Sequence, residues 1–225
     1  MFRVKICGVT SPDDAEACVV AGADAIGLNF YPPSPRYVAR DVAQAIARGI
    51  PPAVTKVGVF VNAAADEVLA TCDEVGLDVV QLHGDESPQM ARQLAERRLI
   101  KAFRCTRPDL EQVTKYLFAC EAAGFRLAAV LIDACQSGSY GGTGQIAEWP
   151  LVRGLHAMPI ALPVILAGGL RPENVAAAIE ATRAAAVDTA SGVESSPGRK
   201  DRQRVRQFVR NALAAFESVA SQDCG

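Results

Sequence analysis

The strongest constraint on the fold is a repeat of short apolar runs that alternate with segments of helical periodicity. Eight such runs begin about 20 to 35 residues apart, the length of one strand and the helix that follows it. Strands that alternate with helices form a parallel sheet, and eight units in 225 residues favour a closed (β/α)8 TIM barrel over an open sheet. The predicted strands are Val4–Cys7, Ala25–Phe30, Lys56–Val61, Val79–Leu82, Ile100–Arg104, Ala129–Asp133, Val164–Ala167 and Ala186–Thr189.

The segments between these runs carry signals that start and stop helices. Ser11 is placed to cap the first helix, with Pro12 at its first position. The predicted helices are Pro12–Ala21, Asp41–Ala47, Ala65–Val75, Pro88–Arg97, Leu110–Ala122, Pro172–Glu180 and Arg202–Val219, and glycines stand where several should stop, at Gly22, Gly49, Gly76 and Gly124. With no linker in between, we expect one barrel domain over residues 1–220 and a C-terminal tail over 221–225.

Charge and composition exclude several partner classes. With 23 basic and 25 acidic residues, the formal net charge is −2, so the chain lacks the basic field that binds nucleic acid. No apolar run reaches the roughly 18 to 20 residues that a membrane span needs, and no signal-peptide pattern precedes the first strand. The first strand is followed by Gly8-Val9-Thr10 rather than Gly-x-Gly-x-x-Gly, which disfavours a dinucleotide fold. We expect a cytoplasmic protein with a small-molecule substrate.

The cysteines indicate neither disulfides nor a metal. There are seven, they are scattered, and no Cys-x-x-Cys pair occurs among them. No cluster of His, Cys and carboxylates has the spacing of metal ligands. Reduced thiols and a site without a metal are therefore expected.

Polar groups end or follow several predicted strands, where the catalytic groups of a barrel lie. Cys7 ends the first run, Asp133 ends the sixth, His83 follows the fourth, and Arg36 lies in the long loop after the second. Each residue type alone has a structural interpretation, since cysteine packs well in cores and histidine beside a turn is often structural. Because all four residues end or follow strands, they are predicted to belong to one site. Prolines stiffen the loop of Arg36, which suits a guanidinium that clamps a carboxylate.

Glycine-rich segments follow the last three predicted strands. Glycine lets the backbone approach an anion and point successive N–H groups at it. The loops after strands seven and eight are the usual phosphate site of such barrels. We therefore predict a phosphate site, against the alternative of ordinary tight turns. The candidate ligands are Gly142, Gly168, Gly169, Ser191 and Gly192.

Together, segments in order from residue 4 to residue 194 resemble the phosphoribosylanthranilate isomerase family of tryptophan biosynthesis. The match covers nearly the whole chain, and its joint order is more specific than any single segment. The matching segments are Val4-Lys5-Ile6-Cys7-Gly8, Ser34-Pro35-Arg36-Tyr37-Val38, Val57-Gly58-Val59-Phe60-Val61-Asn62, Gln81-Leu82-His83-Gly84, Leu131-Ile132-Asp133, Gly142-Thr143-Gly144, Leu166-Ala167-Gly168-Gly169-Leu170 and Ser191-Gly192-Val193-Glu194.

The resemblance implies an Amadori rearrangement of N-(5-phosphoribosyl)anthranilate to 1-(2-carboxyphenylamino)-1-deoxyribulose 5-phosphate. It implies Cys7 as the general base, Asp133 as the general acid, Arg36 as the partner of the anthranilate carboxylate, and phosphate on the late glycine loops. We place His83 among the substrate-binding residues. No cofactor is implied, because a cationic imine serves as the electron sink. The enzyme is expected to be a monomer or a homodimer.

The chain departs from the family at two places near the predicted phosphate site. Ala147-Glu148-Trp149 stands where Phe-Asp-Trp is common, and Thr189-Ala190 where Val-Ser is frequent. Both changes are expected to alter loop packing and not the proposed acid or base.

Two other interpretations stay open. Another sugar-phosphate barrel such as indole-glycerol-phosphate synthase would use lysine and glutamate at strand ends, for which Lys5 and Lys101 are the candidates. A ribulose-phosphate epimerase would need metal-binding histidines, and the chain has only two histidines. A non-catalytic phosphate-binding barrel is the alternative from a different class, and the presence of both Cys7 and Asp133 argues against it.

Overall fold

Eight parallel strands close into a barrel, which confirms the predicted architecture. The computed structural model describes residues 1–104, 110–133 and 162–223. The strands are β1 Val4–Cys7, β2 Ala25–Asn29, β3 Thr55–Phe60, β4 Val79–Leu82, β5 Arg98–Arg104, β6 Ala129–Asp133, β7 Val164–Ala167 and β8 Ala186–Thr189. Each pairs in parallel with its neighbour in chain order, and β1 pairs with β8. Five strands have the predicted bounds, and β2, β3 and β5 differ by one or two residues at an end.

Helices follow most of the strands, as the sequence predicts. The described helices are α1 Pro12–Val20, α2 Arg40–Gly49, α3 Ala65–Val75, α4 Pro88–Arg92, α5 Leu110–Ala122, α6 Val175–Thr182 and α7 Arg202–Asp223. Ser11 Oγ accepts a hydrogen bond from the Asp14 N–H at 3.2 Å, which confirms the predicted cap of α1. Gly76 ends α3 in the left-handed conformation, with φ of 73°. Within the described ranges, no helix combines the length and the apolar character that crossing a membrane requires.

α4 is shorter than predicted, because its last turn tightens. It ends at Arg92 and not at Arg97, and the N–H groups that follow bond to carbonyls three residues back, as Leu94 does to Ala91 at 3.0 Å. This 3₁₀-type geometry brings the chain quickly into β5.

The last two helices also differ from their predicted bounds. α6 begins at Val175 and not at Pro172, because Asn174 Oδ1 accepts from the Arg171 N–H at 2.8 Å and forms a turn first. α7 continues through Asp223, four residues beyond its predicted end at Val219.

Alternation along the strands gives the barrel wall two faces. Outward side chains such as Val4 and Ile6 join an aliphatic core between strands and helices. Inward side chains form a separate, smaller core in which alanines are frequent. Because residues two apart on a strand share a face, the inner face of β1 carries Lys5 and Cys7.

A short hairpin follows β8 and lies against the carboxyl end of β1. A 3₁₀ turn over Ser191–Val193 leads into the antiparallel strands β9 Glu194–Ser196 and β10 Arg199–Lys200. The Lys200 ammonium donates to the Cys7 carbonyl at 2.7 Å, and the Thr10 hydroxyl donates to the Gly198 carbonyl at 2.6 Å. These contacts join the last loop of the barrel to the first.

Candidate active site

Cys7 ends β1 on the inner face of the barrel, at the carboxyl rim where the sequence predicts the site. It lies beside Gly27 of β2, and a Cβ atom at Gly27 would come within 2.7 Å of Cys7 Sγ and 3.1 Å of Lys5 Cε. The missing side chain therefore leaves room for the thiol and for Lys5 next to it. Burial raises the pKa of the Cys7 thiol, while the positive charges of Lys5 and Lys200 act in the opposite direction.

Lys5 is a fully buried cation inside the barrel. Its Nζ lies 3.0 Å from Asp188 Oδ2 and 2.9 Å from Gln81 Oε1. Burial disfavours the ammonium, but the charges of Asp188 and Cys7 outweigh this effect and raise the pKa of Lys5. Lys5 therefore remains charged, and it is the cation that the Cys7 thiolate would face.

Asp133 ends β6, also on the inner face, and His83 follows β4. Asp133 Oδ2 lies 3.7 Å from His83 Nε2, and both side chains are about one-fifth exposed, at 22% and 21%. The other ring nitrogen, His83 Nδ1, lies 2.8 Å from Gln81 Nε2. The structure thus brings two predicted site residues together and gives His83 a partner, Gln81, to which the sequence assigned no role.

Arg36 is held by a carboxylate of the protein itself. Its Nε and Nη2 donate to Glu194 Oε1 and Oε2 at 2.8 and 2.7 Å. The loop that carries it is also ordered locally, since Ser34 Oγ accepts from the Arg36 N–H at 3.1 Å. One edge of the guanidinium is therefore fixed in a bidentate pair, which orients the whole group.

Glu194 also connects Arg36 to the rim of β1. Its Oε1 accepts from Lys200 Nζ at 2.8 Å, and this ammonium donates to the Ala190 carbonyl as well, at 3.2 Å. Burial opposes ionisation of Glu194, but Arg36 and Lys200 outweigh it and lower the pKa of Glu194. The result is one buried carboxylate between two cations, of which Lys200 is buried and Arg36 is partly exposed.

The two described glycine loops of the predicted phosphate site contact each other. Gly168 and Gly169, after β7, both have positive φ, at 92° and 64°. Gly192, after β8, packs so closely on the Leu170 carbonyl that an added Cβ would lie 1.9 Å from the oxygen. Thr189 Oγ1 donates to the same carbonyl at 2.8 Å. Ser191 begins the 3₁₀ turn beside them, and Gly142, the remaining predicted ligand, lies outside the described residues.

Lys101, a candidate catalytic lysine of the synthase interpretation, has a structural role. It alternates with the inward residues of β5, and its Nζ contacts Gly84 O at 2.7 Å and Glu86 Oε2 at 2.9 Å. Glu86 also accepts from the N–H groups of Asn62 and Gly84, at 2.9 and 3.0 Å. Lys101 therefore fixes the loop after His83 from the outer face of the wall.

Sequence reasoning gave Lys5 a candidate role only in the synthase interpretation, and it gave no site role to Gln81, Asp188, Glu194 or Lys200. One feature of the sequence did point to Lys5 and Gln81. Lys5 and Gln81 stand two residues before Cys7 and His83, so each shares the inward face of its strand with a predicted site residue. The pairing of Arg36 with Glu194 had no comparable signal, because the two residues are 158 positions apart.

Known proteins of one family match this chain in sequence and in fold. The family model for N-(5'phosphoribosyl)anthranilate (PRA) isomerase matches residues 4–211. An N-(5'-phosphoribosyl)anthranilate isomerase of Myxococcus xanthus is 50% identical over 211 residues, which cover 93% of this chain and 95% of that protein. A crystal structure of phosphoribosyl anthranilate isomerase from Thermotoga maritima superposes with a TM-score of 0.85 at 40% identity, over 95% of this chain and 100% of that one.

A further solved structure of a phosphoribosyl anthranilate isomerase carries a bound ligand. It is 38% identical, with a TM-score of 0.81 over 95% of this chain and 100% of its own, and it holds reduced 1-(o-carboxyphenylamino)-1-deoxyribulose 5-phosphate. The matched segment extends over nearly the whole barrel, including the strand ends that carry Cys7, His83 and Asp133. The chain therefore belongs to the N-(5'-phosphoribosyl)anthranilate isomerase family, and it is an isomerase of tryptophan biosynthesis.

Proposed function

We propose that Cys7 is the general base and Asp133 the general acid with which this isomerase rearranges N-(5'-phosphoribosyl)anthranilate. The observation that carries the assignment is their placement: both end strands on the inner face of one barrel, Cys7 beside a buried cation and Asp133 beside an imidazole. The carboxyl ends of the strands are where barrel enzymes hold their reacting groups.

Asp133 acts first in the proposed sequence. Its carboxylic acid donates a proton to the ring oxygen of the ribose, and the bond between that oxygen and C1' breaks. The nitrogen lone pair forms the C1'=N bond, which gives an open-chain iminium cation. A proton donor is required because the leaving oxygen would otherwise carry a full negative charge.

Cys7 acts on the iminium. The thiolate removes the proton at C2', and the electron pair of that C–H bond forms the C1'=C2' bond while the C=N pair returns to nitrogen. The resulting enolamine loses its hydroxyl proton and gains a proton at C1', which gives the ketone. Because burial raises the pKa of the Cys7 thiol, the positive charge of Lys5 is needed to keep a useful fraction of thiolate.

Arg36 and the late glycine loops are assigned to the two ends of the substrate. Arg36, oriented by Glu194, pairs with the anthranilate carboxylate. The backbone around Gly168, Gly169, Ser191 and Gly192 binds the phosphate, together with Gly142. The positive φ of Gly168 and Gly169 supports this assignment, because it is the backbone conformation from which N–H groups converge on an anion.

The roles of Cys7 and Asp133 are tested by replacing each side chain. Cys7→Ala and Asp133→Asn should each lower kcat by about 10² to 10⁴, the usual contribution of general acid–base catalysis. Consumption of phosphoribosylanthranilate, followed by fluorescence, measures the rate. Cys72→Ala in α3 and Asp41→Asn on the surface of α2 are matched controls and should keep the normal rate. Near-normal turnover in either site variant would remove that residue from its role.

Assembly and location stay predictions. We expect a monomer or a homodimer in the cytoplasm, with a small-molecule substrate. Sedimentation equilibrium of the purified protein distinguishes the two assemblies, and a larger species would contradict both.

A further inference from the structure

A chain of polar side chains connects the buried cation below Cys7 with the carboxyl group of Asp133. Lys5 Nζ lies 2.9 Å from Gln81 Oε1, Gln81 Nε2 lies 2.8 Å from His83 Nδ1, and His83 Nε2 lies 3.7 Å from Asp133 Oδ2. Lys5 and Gln81 are completely buried. The geometry of this chain determines where its protons are.

The orientation of the Gln81 amide follows from its contact with Lys5. An ammonium has only donors, so the amide atom at 2.9 Å from Lys5 Nζ is the carbonyl oxygen. The NH₂ group must then face His83 and donate to Nδ1 at 2.8 Å. Rotation of the amide by 180° would place two donors against each other at Lys5.

His83 Nδ1 must accept this hydrogen bond, so it carries no proton. In a neutral imidazole the proton is then on Nε2, the nitrogen that faces Asp133. The contact between His83 and Asp133 is therefore an N–H group directed at a carboxyl oxygen, rather than an ion pair. At 3.7 Å the two atoms lie near each other but beyond hydrogen-bond distance.

From this geometry we propose that Gln81, held by Lys5, is a positioning residue that fixes His83 in the Nε2–H tautomer and so makes it a hydrogen-bond donor to Asp133. The inference rests on the proposed function in one respect, the role of Asp133 as the acid. A donor at Oδ2 assigns the acidic proton to Oδ1. After that proton has moved to the substrate, the same N–H group stabilises the carboxylate that remains.

Other charged groups around His83 act on its surroundings without contacting the ring nitrogens in the described structure. Arg104 Nη2 donates to the His83 carbonyl at 3.0 Å, and Lys101 with Glu86 holds the following loop. These groups fix the backbone of His83. Among the described side chains, the ring nitrogens contact only Gln81 and Asp133.

The tautomer is measurable by ¹⁵N NMR of the whole protein labelled at histidine. The chain has two histidines, and a His156→Asn variant assigns the signals of His83. In the wild-type protein near pH 7 we expect one protonated nitrogen, Nε2, and an unprotonated Nδ1. A proton on Nδ1 of His83 would overturn the proposal without any activity measurement.

Two substitutions test the function of Gln81. Gln81→Glu keeps the shape and the contact with Lys5 but replaces the donor by an acceptor, so Nδ1 should become protonated. Gln81→Met removes the donor altogether and should leave a mixture of tautomers. Both should lower kcat by about 10- to 100-fold, part of what general acid catalysis contributes, with a smaller change in KM. The control Gln203→Glu adds the same charge on the exposed surface of α7 and should change neither signal nor rate.

The outcomes separate this proposal from the one it rests on. A normal kcat in Gln81→Glu, with Nδ1 protonated and Nε2 unprotonated, would show that the tautomer has no catalytic role. If Asp133→Asn is active while the tautomer is as described, the assignment of the acid fails and the position of the His83 proton stands. If Gln81→Glu does not fold, the Gln81→Met variant and the wild-type spectrum still test the proposed role of Gln81.

Discussion

Among the described side chains, the two sides of the barrel mouth place different groups next to Cys7 and next to Asp133. Around Cys7 the described side chains are ionised and paired: Lys5 with Asp188, and Lys200 with Glu194. Around Asp133, one ring nitrogen of His83 contacts the amide of Gln81 and the other lies near the carboxyl group of Asp133. After the roles proposed for Cys7 and Asp133, we call these the base side and the acid side.

This difference fits the roles proposed for Cys7 as a base and Asp133 as an acid. A thiol becomes a base only as a thiolate, and in a buried position this requires nearby positive charge. A carboxylic acid must hold its proton until the substrate is bound, so a neutral N–H donor suits it better than a cation in direct contact, which would favour ionisation. The proposed acid and base therefore differ in their partners as much as in their own chemistry.

The largest expected effect comes from removing the cation of the base side. Lys5→Met leaves Cys7 buried without its nearest positive charge, so the pKa of Cys7 should rise further. Because each unit of pKa costs about tenfold in thiolate, we expect kcat/KM at pH 7 to fall by about 100-fold. The loss of kcat/KM should shrink as pH rises, because more of the Cys7 thiol then ionises. The acidic limb of the pH profile of kcat/KM should move to higher pH.

A second buried lysine supplies the control for this experiment. Lys101 is 4% exposed but lies on the outer face of β5. Lys101→Met should destabilise the fold while the acidic limb of kcat/KM stays in place. Equal shifts in both variants, or a loss in Lys5→Met that is the same at every pH, would contradict a specific effect on Cys7. Lys5→Met combined with Asp188→Asn removes the unpaired carboxylate if the single variant folds poorly.

A smaller effect is expected at Arg36, the proposed partner of the anthranilate carboxylate. Glu194→Gln replaces a charged, bidentate partner by a neutral one, so the guanidinium loses part of its preorganisation. We expect KM to rise by about three- to tenfold, the scale of 0.7 to 1.4 kcal/mol of binding free energy, with little change in kcat. Steady-state kinetics at pH 7 gives the two constants separately.

A double variant decides whether Glu194 acts through Arg36. Arg36→Met alone should raise KM because it removes the carboxylate partner. If Glu194 only orients Arg36, the variant with both substitutions should bind no more weakly than Arg36→Met. Additive increases in KM would mean that Glu194 acts independently of Arg36. A lower KM in Glu194→Gln would mean that Glu194 competes with the substrate for the guanidinium.

Sequence reasoning found the strands and the rim because both depend on local pattern. The apolar runs locate all eight strands, and the position of Cys7 and Asp133 at strand ends follows from chain order alone. The role of Lys5 did not follow, because Val4-Lys5-Ile6 has the alternation of a strand with one face in water. Only closure of the sheet turns that face into an interior, where an ammonium requires Asp188 and Gln81 as partners.

The pair of Arg36 and Glu194 shows a second limit. Local sequence placed Arg36 in a proline-rich loop, but its partner Glu194 comes from the hairpin after β8. Long-range pairing of this kind depends on how β1 and β8 meet in the closed barrel. The same reason explains the contact of Gly192 with the Leu170 carbonyl, since no pattern in either loop indicates that they touch.

The smallest catalytic effect is expected on the outer wall of the acid side, at Glu86. Burial opposes its ionisation, but Lys101 and two N–H donors outweigh it, so the pKa of Glu86 is lowered in the folded protein. A lowered pKa contributes stability that is present above the unfolded value, near 4.5, and is lost as pH falls through the folded value.

Glu86→Gln should therefore reduce the free energy of unfolding at pH 7 by about 3–5 kcal/mol, since Lys101 stays buried and unpaired. It should also flatten the decline of that free energy below pH 4.5. Urea titrations at several pH values measure both, and Glu74→Gln, in an exposed ion pair, should cost at most about 1 kcal/mol. If Glu86→Gln instead lowers kcat as strongly as Gln81→Met, the outer wall controls the position of His83 more than the buried amide does, and the acid side is organised from outside the barrel.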